Sequence, residues 1–501
     1  MWVLITCTLV TTLYATTITI ANVSLPQIQG SMSASPDQIG WVVTSNLIAT
    51  AVTIPLSGWL SARFGRRRVM LVGVSGFAFA TLMCGLSNSL TELVFWRVVQ
   101  SSCGSPLTPI SQSVVIDRFP GEKRGPAIAV YGFGVVLGPT IAPLLGGWIS
   151  EAISWRWVFF ILIPMAGLAL AGLFLFLEPE KPKDPKARLD WTGFLSLSIA
   201  VGCIQLMLDR GERAEWFSSP EIIIELSLAV LAGWVFLVHS FTTDRPFLDP
   251  KLFTERNFAL GMGIAVIFGM LFVTPMVLMP AMLQQLRDIP EFTVGTLIAA
   301  RGLGTMVAQI MMMYAANRWS PRSLLWIGFG AQTVAGLQMA HYEVNVTLFD
   351  VAWTSIIQGF GVGCLWTPIT LVIFSNFDPR RTAEGASLFH FVRSLGSSYF
   401  ISASFVVVFH TQKISYSELV RWINPFHEPL RFDWVNGVWS LDSLRGLMSM
   451  AGEVGRQSLT IGFVNAYALF LWASILVYPL IMLVAWPARG YVPPRGSSNA
   501  A

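Results

Sequence analysis

The sequence predicts an all-α integral membrane protein of about fourteen transmembrane helices. Hydrophobic residues make up 54% of the 501 residues and charged residues only 12%, a composition typical of membrane proteins rather than soluble domains. The apolar residues are gathered into runs of about 20, the length that crosses a bilayer as a helix. The runs lie near residues 1–22, 38–60, 69–88, 92–114, 126–150, 156–177, 191–209, 221–241, 258–281, 292–314, 323–342, 349–375, 383–410 and 460–486.

The basic residues between these runs predict the orientation of the chain. An even number of spans places both termini on one side. If that side is cytoplasmic, the inner loops and the tail hold most of the Lys and Arg residues, as the positive-inside rule requires. The short outer loops then hold only Arg156, Arg210, Arg213 and Arg287.

The first apolar run is predicted to be a span and not a signal peptide. Residues 1–21 lack both a basic leader and a small-residue cleavage site. We expect a short cytoplasmic leader ahead of this span.

Two long connections divide the chain. Residues 178–190, EPEKPKDPKARLD, are proline-rich and charged, which predicts a flexible cytoplasmic linker. Residues 411–459 mix aromatic and charged side chains, so this extracytoplasmic loop is expected to be either a partly helical flap or a plain surface loop. The predicted units are an N-terminal six-helix bundle (1–177), the linker, two inserted helices (191–241), a C-terminal six-helix bundle that includes the loop (258–486) and a cytoplasmic tail (487–501).

The fifth run carries a ladder of small residues. Glycine or alanine recurs at every fourth position, which lets another helix approach closely, and two prolines in the same stretch each remove a backbone hydrogen bond and bend the helix. The helix is therefore predicted either to bend during function or to be an ordinary packing helix. The residues concerned are Gly134, Gly138, Pro139, Ala142, Pro143, Gly146 and Gly147.

A glycine- and arginine-rich loop joins the second and third runs. Gly58 and Gly65 allow a tight turn, and Arg63, Arg66 and Arg67 can meet the carbonyl ends of helices and hold an inward gate. The alternative is a simple cluster of positive charge on the inner side.

Several apolar runs contain cationic or polar side chains. An arginine in an apolar helix normally faces the protein interior or a wet cavity, so Arg97, followed by Gln100, is predicted to line a central cavity. The alternative is a structural arginine. Arg301 and Arg393 also lie in apolar runs, and His390 shares a helical face with Arg393. Further polar residues extend the face of Arg97 at helical spacing, and these are Ser101, Ser105, Thr108 and Gln112.

These segments resemble the fourteen-span drug:proton antiporter family of the major facilitator superfamily, the EmrB/QacA-type multidrug efflux transporters. Residues 134–149 are similar to its GPxxGPxxGG motif, residues 58–68 to GxLaDRxGRR with Ala62 at the aspartate, and residues 97–101 to RxxQG. Other similar segments are 20–26, 155–160, 189–193, 208–211, 216–219, 301–304, 358–363 and 393–397.

The resemblance implies the major facilitator fold, with two six-helix bundles related by a pseudo-twofold axis and a central cavity that opens alternately to each side. In the family the GPxxGPxxGG motif lies between the two halves, so Gly138 is expected at a close contact between them. The implied function is proton-driven efflux of amphipathic toxic compounds across the bacterial inner membrane. In Gram-negative relatives a periplasmic membrane-fusion adaptor and an outer-membrane channel take part.

The first span departs from the family at the proton site. The family carries an aspartate five residues before the asparagine that matches Asn22, and Thr17 stands there in this chain. His390 is the strongest candidate for a replacement because histidine titrates near physiological pH. The alternative, which is the more frequent case for a lone histidine in a membrane helix, is a hydrogen-bonded packing residue. The carboxylates nearest the membrane lie towards the span ends, and they are Glu92, Asp209, Glu225, Asp350 and Glu384.

Two alternatives to drug antiport follow from the sequence. The missing aspartate favours a facilitator, or a dedicated exporter of one siderophore-like or other amphipathic metabolite with weak or no proton coupling. A membrane scaffold or receptor would need a sizeable soluble domain, which the runs leave no room for.

An enzyme is not expected from this sequence. The five cysteines lie in apolar runs at unrelated spacings, and we find no nucleophile with its base and no nucleotide-binding loop. We therefore expect no metal, no cofactor and, with a net charge of only +4, no nucleic-acid partner.

Overall fold

The structure is a computed structural model that describes residues 1–180, 182–211, 214–244, 246–287, 289–316, 318–378, 381–423, 439 and 443–485. Helices account for all of the regular structure in these residues, which confirms the all-α prediction. Eleven helices are long and apolar enough to cross a membrane, and twelve if one bent pair counts as a single span. The two remaining predicted spans are also helical, but one is broken and the other is less apolar.

The N-terminal half contains two broken spans. A proline follows each break, at Pro55 and Pro106, and a proline cannot donate the backbone hydrogen bond that would continue the helix. The first break bends its span by 53°. The helices of this half are α1 (Trp2–Val23), α2 (Leu25–Ser31), α3 (Pro36–Ile39), α4 (Trp41–Thr53), α5 (Leu56–Phe64), α6 (Arg66–Leu86), α7 (Leu90–Gly104), α8 (Leu107–Arg118), α9 (Arg124–Ala152), α10 (Trp157–Phe160) and α11 (Leu162–Phe176).

Two inserted helices and the C-terminal half follow. The inserted helices are α12 (Trp191–Arg210) and α13 (Pro220–Thr242), and they are the least buried of the long helices. The C-terminal half consists of α14 (Arg256–Arg287), α15 (Glu291–Ala315), α16 (Pro321–Met339), α17 (Leu348–Ile373), α18 (Thr382–Arg421), α19 (Leu444–Leu476) and α20 (Tyr478–Leu483).

The last two long helices extend into the predicted extracytoplasmic loop. Helix α18 continues to Arg421 and α19 begins at Leu444, so both ends of the 411–459 segment are helical. Residues 424–438 and 440–442 of this segment, and the predicted tail 487–501, lie outside the described residues. We call the end of the molecule that carries residues 178–190 the linker end, and the opposite end, which carries residues 24–40 and 340–347, the loop end.

The small-residue ladder of α9 packs against α1. A Cβ atom added at Gly138 would lie 2.8 Å from Oγ1 of Thr16 and 3.0 Å from the carbonyl oxygen of Thr12. At Gly146 it would lie 2.9 Å from the carbonyl oxygen of Ile20. The close approach was predicted, but the expected partner was wrong. Gly138 contacts a helix of its own half because α1 supplies the threonine-lined groove that the ladder fits.

A side chain of α1 donates a hydrogen bond to a carbonyl group that the prolines of α9 leave without a backbone donor. Pro143 cannot donate to the carbonyl group of Pro139, four residues earlier. Oγ1 of Thr19 donates to that oxygen at 3.2 Å. A side chain of the neighbouring helix therefore satisfies a carbonyl group that a bent membrane helix would otherwise leave exposed.

The predicted linker is bound to the loop between α5 and α6. The backbone nitrogen of Asp184 donates to the carbonyl oxygen of Ala62 at 3.0 Å, and the carbonyl oxygen of Ala187 accepts from Nη1 of Arg63 at 2.7 Å. Glu180 forms a two-pronged pair with Arg66, with both distances at 2.9 Å. The predicted flexibility of the connection stays a prediction, and in this structure Arg63 and Arg66 bind the segment.

Candidate transport site

A cavity of about 90 Å³ lies between the two halves. Helices α1, α4, α8 and α9 contribute one wall and α14 and α18 the other. Arg393 is the only permanently charged residue among the described residues that line it, and none of them is Asp or Glu. The polar lining consists of Thr11, Tyr14, Thr19, Asn46, Thr50, Ser105, Thr108, His390, Arg393, Ser394, Ser397 and Ser398.

His390 joins the two halves across the cavity wall. Its Nε2 lies 2.5 Å from Oε1 of Gln112 on α8, and Nε2 of Gln112 donates to Oγ1 of Thr370 on α17 at 3.2 Å. Because Gln112 uses its amide nitrogen for Thr370, its oxygen accepts and His390 carries its proton on Nε2. The imidazole also packs on the rings of Trp366 and Phe389, at 5.7 and 5.0 Å between centroids.

Arg393 is held by aromatic rings. Its guanidinium carbon lies 5.6 Å from the ring centroids of both Phe272 and Trp366. Arg301 approaches Phe272 as well, at 5.2 Å, and its Nη2 donates to the carbonyl oxygen of Phe272 at 2.7 Å. Cation–π contacts replace carboxylate partners here, since no ion pair to either arginine is found among the described residues.

Arg301 is buried beside the cavity and does not line it. Its Nε and Nη1 atoms and the Nε atom of Arg393 have no hydrogen-bond partner within the part of the chain that the structure describes. The wall formed by α14, α15 and α18 is therefore electropositive.

Arg97 does not line the cavity, contrary to the prediction. It is 1% exposed, and Nη1 donates to Oε1 of Gln100 at 2.8 Å. Nε2 of Gln100 in turn donates to Oγ1 of Thr81 on α6 at 2.7 Å, and the ring of Phe159 lies 6.0 Å from the guanidinium carbon. Arg97 is instead enclosed between α7, α6 and α10, where Gln100, Thr81 and Phe159 surround it.

The other half of the same polar stripe does reach the site. Ser105 and Thr108 line the cavity, and Gln112 binds His390. Asn46 was missed by sequence reasoning, although an asparagine within an apolar run is itself a signal. It lines the cavity and donates to Oγ of Ser101.

Of the two residues that the sequence singles out in the first span, Thr17 does not line the cavity. Thr17 is buried away from the cavity, and its Oγ1 donates to the carbonyl oxygen of Leu13 at 3.0 Å. The side chain of Asn22 lies outside the described residues. Thr11, on the same helix, lines the cavity instead and donates to the hydroxyl group of Tyr131 at 3.1 Å.

The halves touch directly at the linker end. A Cβ atom added at Gly58 would lie 3.3 Å from Cα of Glu384, and Oγ of Ser387 donates to the carbonyl oxygen of Ile54 at 2.9 Å. Arg381 pairs with Glu384 at 2.8 Å and with Asp249 at 3.0 Å. The hydrogen bonds to Glu384 raise the pKa of Arg381, so its guanidinium group stays charged at this surface.

The predicted gate arginines all bind partners at this end. Arg66 pairs with Asp117 at 2.7 Å besides Glu180, and Nη2 of Arg67 donates to the carbonyl oxygen of Phe174 at 2.8 Å, in the last turn of α11. The arginines of the loop between α5 and α6 and of the start of α6 therefore bond to α8, α11 and the linker.

Comparison with known proteins gives the family. Residues 7–401 match the model of the Major Facilitator Superfamily. The chain is 32% identical to the multidrug export protein EmrB of Escherichia coli K12, over 96% of this chain and 93% of that protein, and 31% identical to the protein of the same name from Haemophilus influenzae, with the same coverage. It is 29% identical, over 94% of its length and 92% of the relative, to the fatty acid resistance protein FarB of Neisseria gonorrhoeae.

Solved structures agree on the fold. The human organic anion transporter MFSD10 superposes with a TM-score of 0.61 at 15% identity, over 94% of this chain and 99% of that one. The proton:xylose symporter XylE superposes with a TM-score of 0.56 at 15% identity, over 94% of each chain. With a cavity between two helical halves and relatives that match it almost end to end, this multi-pass membrane protein belongs to the Major Facilitator Superfamily and, within it, to the EmrB-type transporters.

Proposed function

We propose that this chain exports amphipathic toxic compounds across the bacterial inner membrane in exchange for protons. The observation that carries the proposal is the cavity between the halves, with Arg393 and His390 in its wall. The names of its relatives, multidrug export protein and fatty acid resistance protein, support the same activity. The excess of basic residues in the loops of the linker end supports cytoplasmic termini.

The small size of the cavity supports alternating access. A site for a drug-sized molecule occupies about 300–1,000 Å³, and this cavity is about 90 Å³, so substrate enters only after the halves separate. Direct packing closes the linker end at Gly58 and Glu384. Opening one end at a time would carry substrate from one side of the membrane to the other.

The charge of the cavity favours uncharged and anionic compounds over cations. Arg393 supplies the only fixed charge of the described lining, and Arg301 adds a second positive group behind it. A cation in this space would meet repulsion without a carboxylate to offset it.

Binding assays can test this preference. An alkyl carboxylate is expected to bind purified protein more tightly than an alkyl trimethylammonium of equal chain length, and Arg393→Gln is expected to reduce the difference. Tighter binding of the cation would contradict the assignment.

His390 is proposed to couple substrate movement to protons. It lies in the cavity wall, and its hydrogen bond to Gln112 bridges the two halves, so a change in its protonation alters a contact that opening must break. His390→Ala is expected to lose uptake driven by a pH gradient in inverted vesicles and to keep substrate binding. His341→Ala is the matched control, since His341 is exposed and bonds only within its own helix end.

A second candidate function is facilitated export without proton coupling, favoured by the absence of Asp and Glu from the described cavity lining. Efflux from cells with and without a protonophore separates the two. Antiport predicts that the protonophore abolishes export against a gradient, whereas a facilitator moves substrate only downhill in both conditions. Failure to move any amphipathic compound would refute both.

Partners outside the membrane are part of the proposal. In the family, Gram-negative members work with a periplasmic membrane-fusion adaptor and an outer-membrane channel. Export into the medium, rather than into the periplasm, is expected only when such an adaptor is co-expressed.

A further inference from the structure

A small pocket lies inside the C-terminal half, next to the central cavity. Its volume is about 10 Å³, which is about the space that one water molecule needs. Helices α14, α15, α16 and α17 line it, and all of the lining residues are buried. Met276 lines both this pocket and the cavity, so the two spaces adjoin at its side chain. We call this space the Arg301 pocket, after the only charged residue among the described residues that line it.

Arg301 has unused hydrogen-bond donors in this pocket. Its Nη2 donates to the carbonyl oxygen of Phe272, but Nε and Nη1 have no partner among the described residues. Arginine stays protonated in proteins, and no ion pair to Arg301 is found in the described part of the chain. A buried positive charge therefore lacks both hydrogen bonds and a counter-charge, and an anion would supply both.

The other buried arginines of the described chain do not share this combination. Arg66 pairs with Asp117 and Glu180. Arg97 donates to Gln100 and has only Nε buried without a partner. Arg301 has two such nitrogen atoms and also lines a pocket.

The amide of Gln358 is fixed on another wall of the pocket. Pro275 cannot donate to the carbonyl group of Leu271, and Nε2 of Gln358 donates to that oxygen instead, at 3.1 Å. The same Nε2 donates to Oε1 of Gln332 at 3.3 Å, so Oε1 of Gln358 is the acceptor end, and it has no partner within the described residues. A water molecule bonded to Arg301 and Gln358 is therefore the competing occupant. Water would not offset the charge of Arg301, which favours an anion.

We propose that the Arg301 pocket is an anion subsite. It takes one negatively charged group, which accepts hydrogen bonds from Nε and Nη1 of Arg301. The source is either the carboxylate of an amphipathic substrate, with one oxygen in the pocket and the chain in the cavity, or a free halide ion. Flexible methionine side chains in the lining can adapt to the occupant, and they are those of Met276, Met279 and Met339.

Phe272 connects the subsite with the fixed charge of the cavity. Its ring lines the cavity and contacts the guanidinium groups of both Arg301 and Arg393, at 5.2 and 5.6 Å from the ring centroid. An anionic group attracted by Arg393 is therefore already close to Arg301. The proposal rests on the proposed function only in taking the cavity as the space for the apolar part of a substrate.

Thermal unfolding of the purified full-length protein tests binding of a free halide. Midpoints are compared in sodium bromide and in sodium gluconate at equal ionic strength, since the pocket is too small for the hydroxylated chain of gluconate. A ligand that binds only the folded state raises the midpoint, so bromide is expected to raise it. Arg301→Gln is expected to remove this rise. Arg97→Gln, which replaces a buried arginine of the other half, is the matched control and keeps it.

A binding assay tests the substrate carboxylate as the source. Arg301→Gln is expected to weaken binding of an alkyl carboxylate roughly tenfold or more, because hydrogen bonds to a charged group are lost. Binding of an alkyl trimethylammonium of equal chain length should not weaken. Loss of carboxylate affinity identifies the substrate headgroup as the occupant, and loss of the bromide response alone identifies a free halide.

A second variant separates occupation of the pocket from the distant effect of a charge, and it also serves if Arg301→Gln does not fold. Ser355→Val keeps Arg301 and adds apolar bulk to the lining, so it is expected to weaken the same responses. Unchanged responses in Ser355→Val overturn the subsite, even if Arg301→Gln loses them. Unsubstituted protein that responds to neither anion, as expected if the pocket holds water alone, overturns it too.

The proposed function fails on a different result. A protein that binds these anions as described and exports no amphipathic compound would refute the proposed function and keep the subsite. A protein that exports such compounds and shows no anion response at Arg301 would refute the subsite alone.

Discussion

The two ends of the molecule are closed in different ways. At the linker end, helices of the two halves pack backbone against backbone at Gly58 and Glu384, under a layer of ion pairs around Arg66. At the loop end, α4 and α18 are bridged by the side chain of Asp209 on the inserted helix. Close packing is disturbed when side-chain atoms are added, whereas a bridge through one carboxylate is lost when that single side chain is replaced. The linker end is therefore closed by shape, with ion pairs above it, and the loop end is bridged by one polar side chain.

The largest effect is expected from a side chain that fills the linker-end contact. Gly58→Leu places its Cβ 3.3 Å from Cα of Glu384 and its further atoms where α18 lies, so the linker end cannot close and transport should be lost. Drug export and membrane abundance are the measurements. Gly167→Leu is the control, since an added Cβ there meets nothing within 4 Å. Normal export by Gly58→Leu would show that this contact is not needed for the cycle.

The ion pairs of the linker end are expected to matter less than the packing beneath them. Arg66→Ala leaves Asp117 and Glu180 without their shared partner and frees the linker, so export should fall severalfold without being abolished. Arg68→Ala, at an exposed neighbouring position, serves as the control. Equal export by the two variants would mean that the linker does not contribute to closure. Limited proteolysis of residues 178–190 should accelerate only in Arg66→Ala.

Arg97 is expected to affect stability rather than the movement of either end. Because it bonds to Gln100 within the N-terminal half, Arg97→Ala should lower the free energy of unfolding by roughly 2 kcal/mol or more. The surviving folded protein should keep its substrate affinity. Thermal unfolding and a binding assay on the same sample check this. Weakened binding at unchanged stability would indicate that Arg97 contacts substrate in the cavity.

The smallest effect is expected where α1 meets the bent helix α9. Thr19→Val removes the hydrogen bond to the carbonyl oxygen of Pro139 and should cost about 1 kcal/mol or less, as for other polar contacts between membrane helices. A lower thermal midpoint, with export reduced no more than expected from the loss of one polar group of the cavity lining, is the expected result. A loss of export out of proportion to stability would show that this bend moves during transport.

Composition and periodicity were enough to predict the class of fold and most of its helices. A chain with 54% hydrophobic residues in runs of membrane length has few alternatives to a helical bundle, because backbone groups in lipid must bond within their own segment. The close packing at Gly138 could also be predicted, since a four-residue ladder of small side chains has a direct physical meaning. The cost of polar groups in apolar helices was enough to single out Arg393 and His390 as candidates, but not to place them at the cavity.

Only the tertiary structure decided which partner each of these residues meets. Arg97 and Arg393 look alike in sequence, yet the first bonds within its own half and the second lines the cavity, because the direction that each helix face takes is set by packing across the whole bundle. In the same way, the sequence places Asp209 only at the end of a span, and the tertiary structure shows that Thr44 of α4 and Ser402 of α18 donate to its carboxylate. A sequence shows the cost of burying a group, but the contacts that offset the cost come from distant segments.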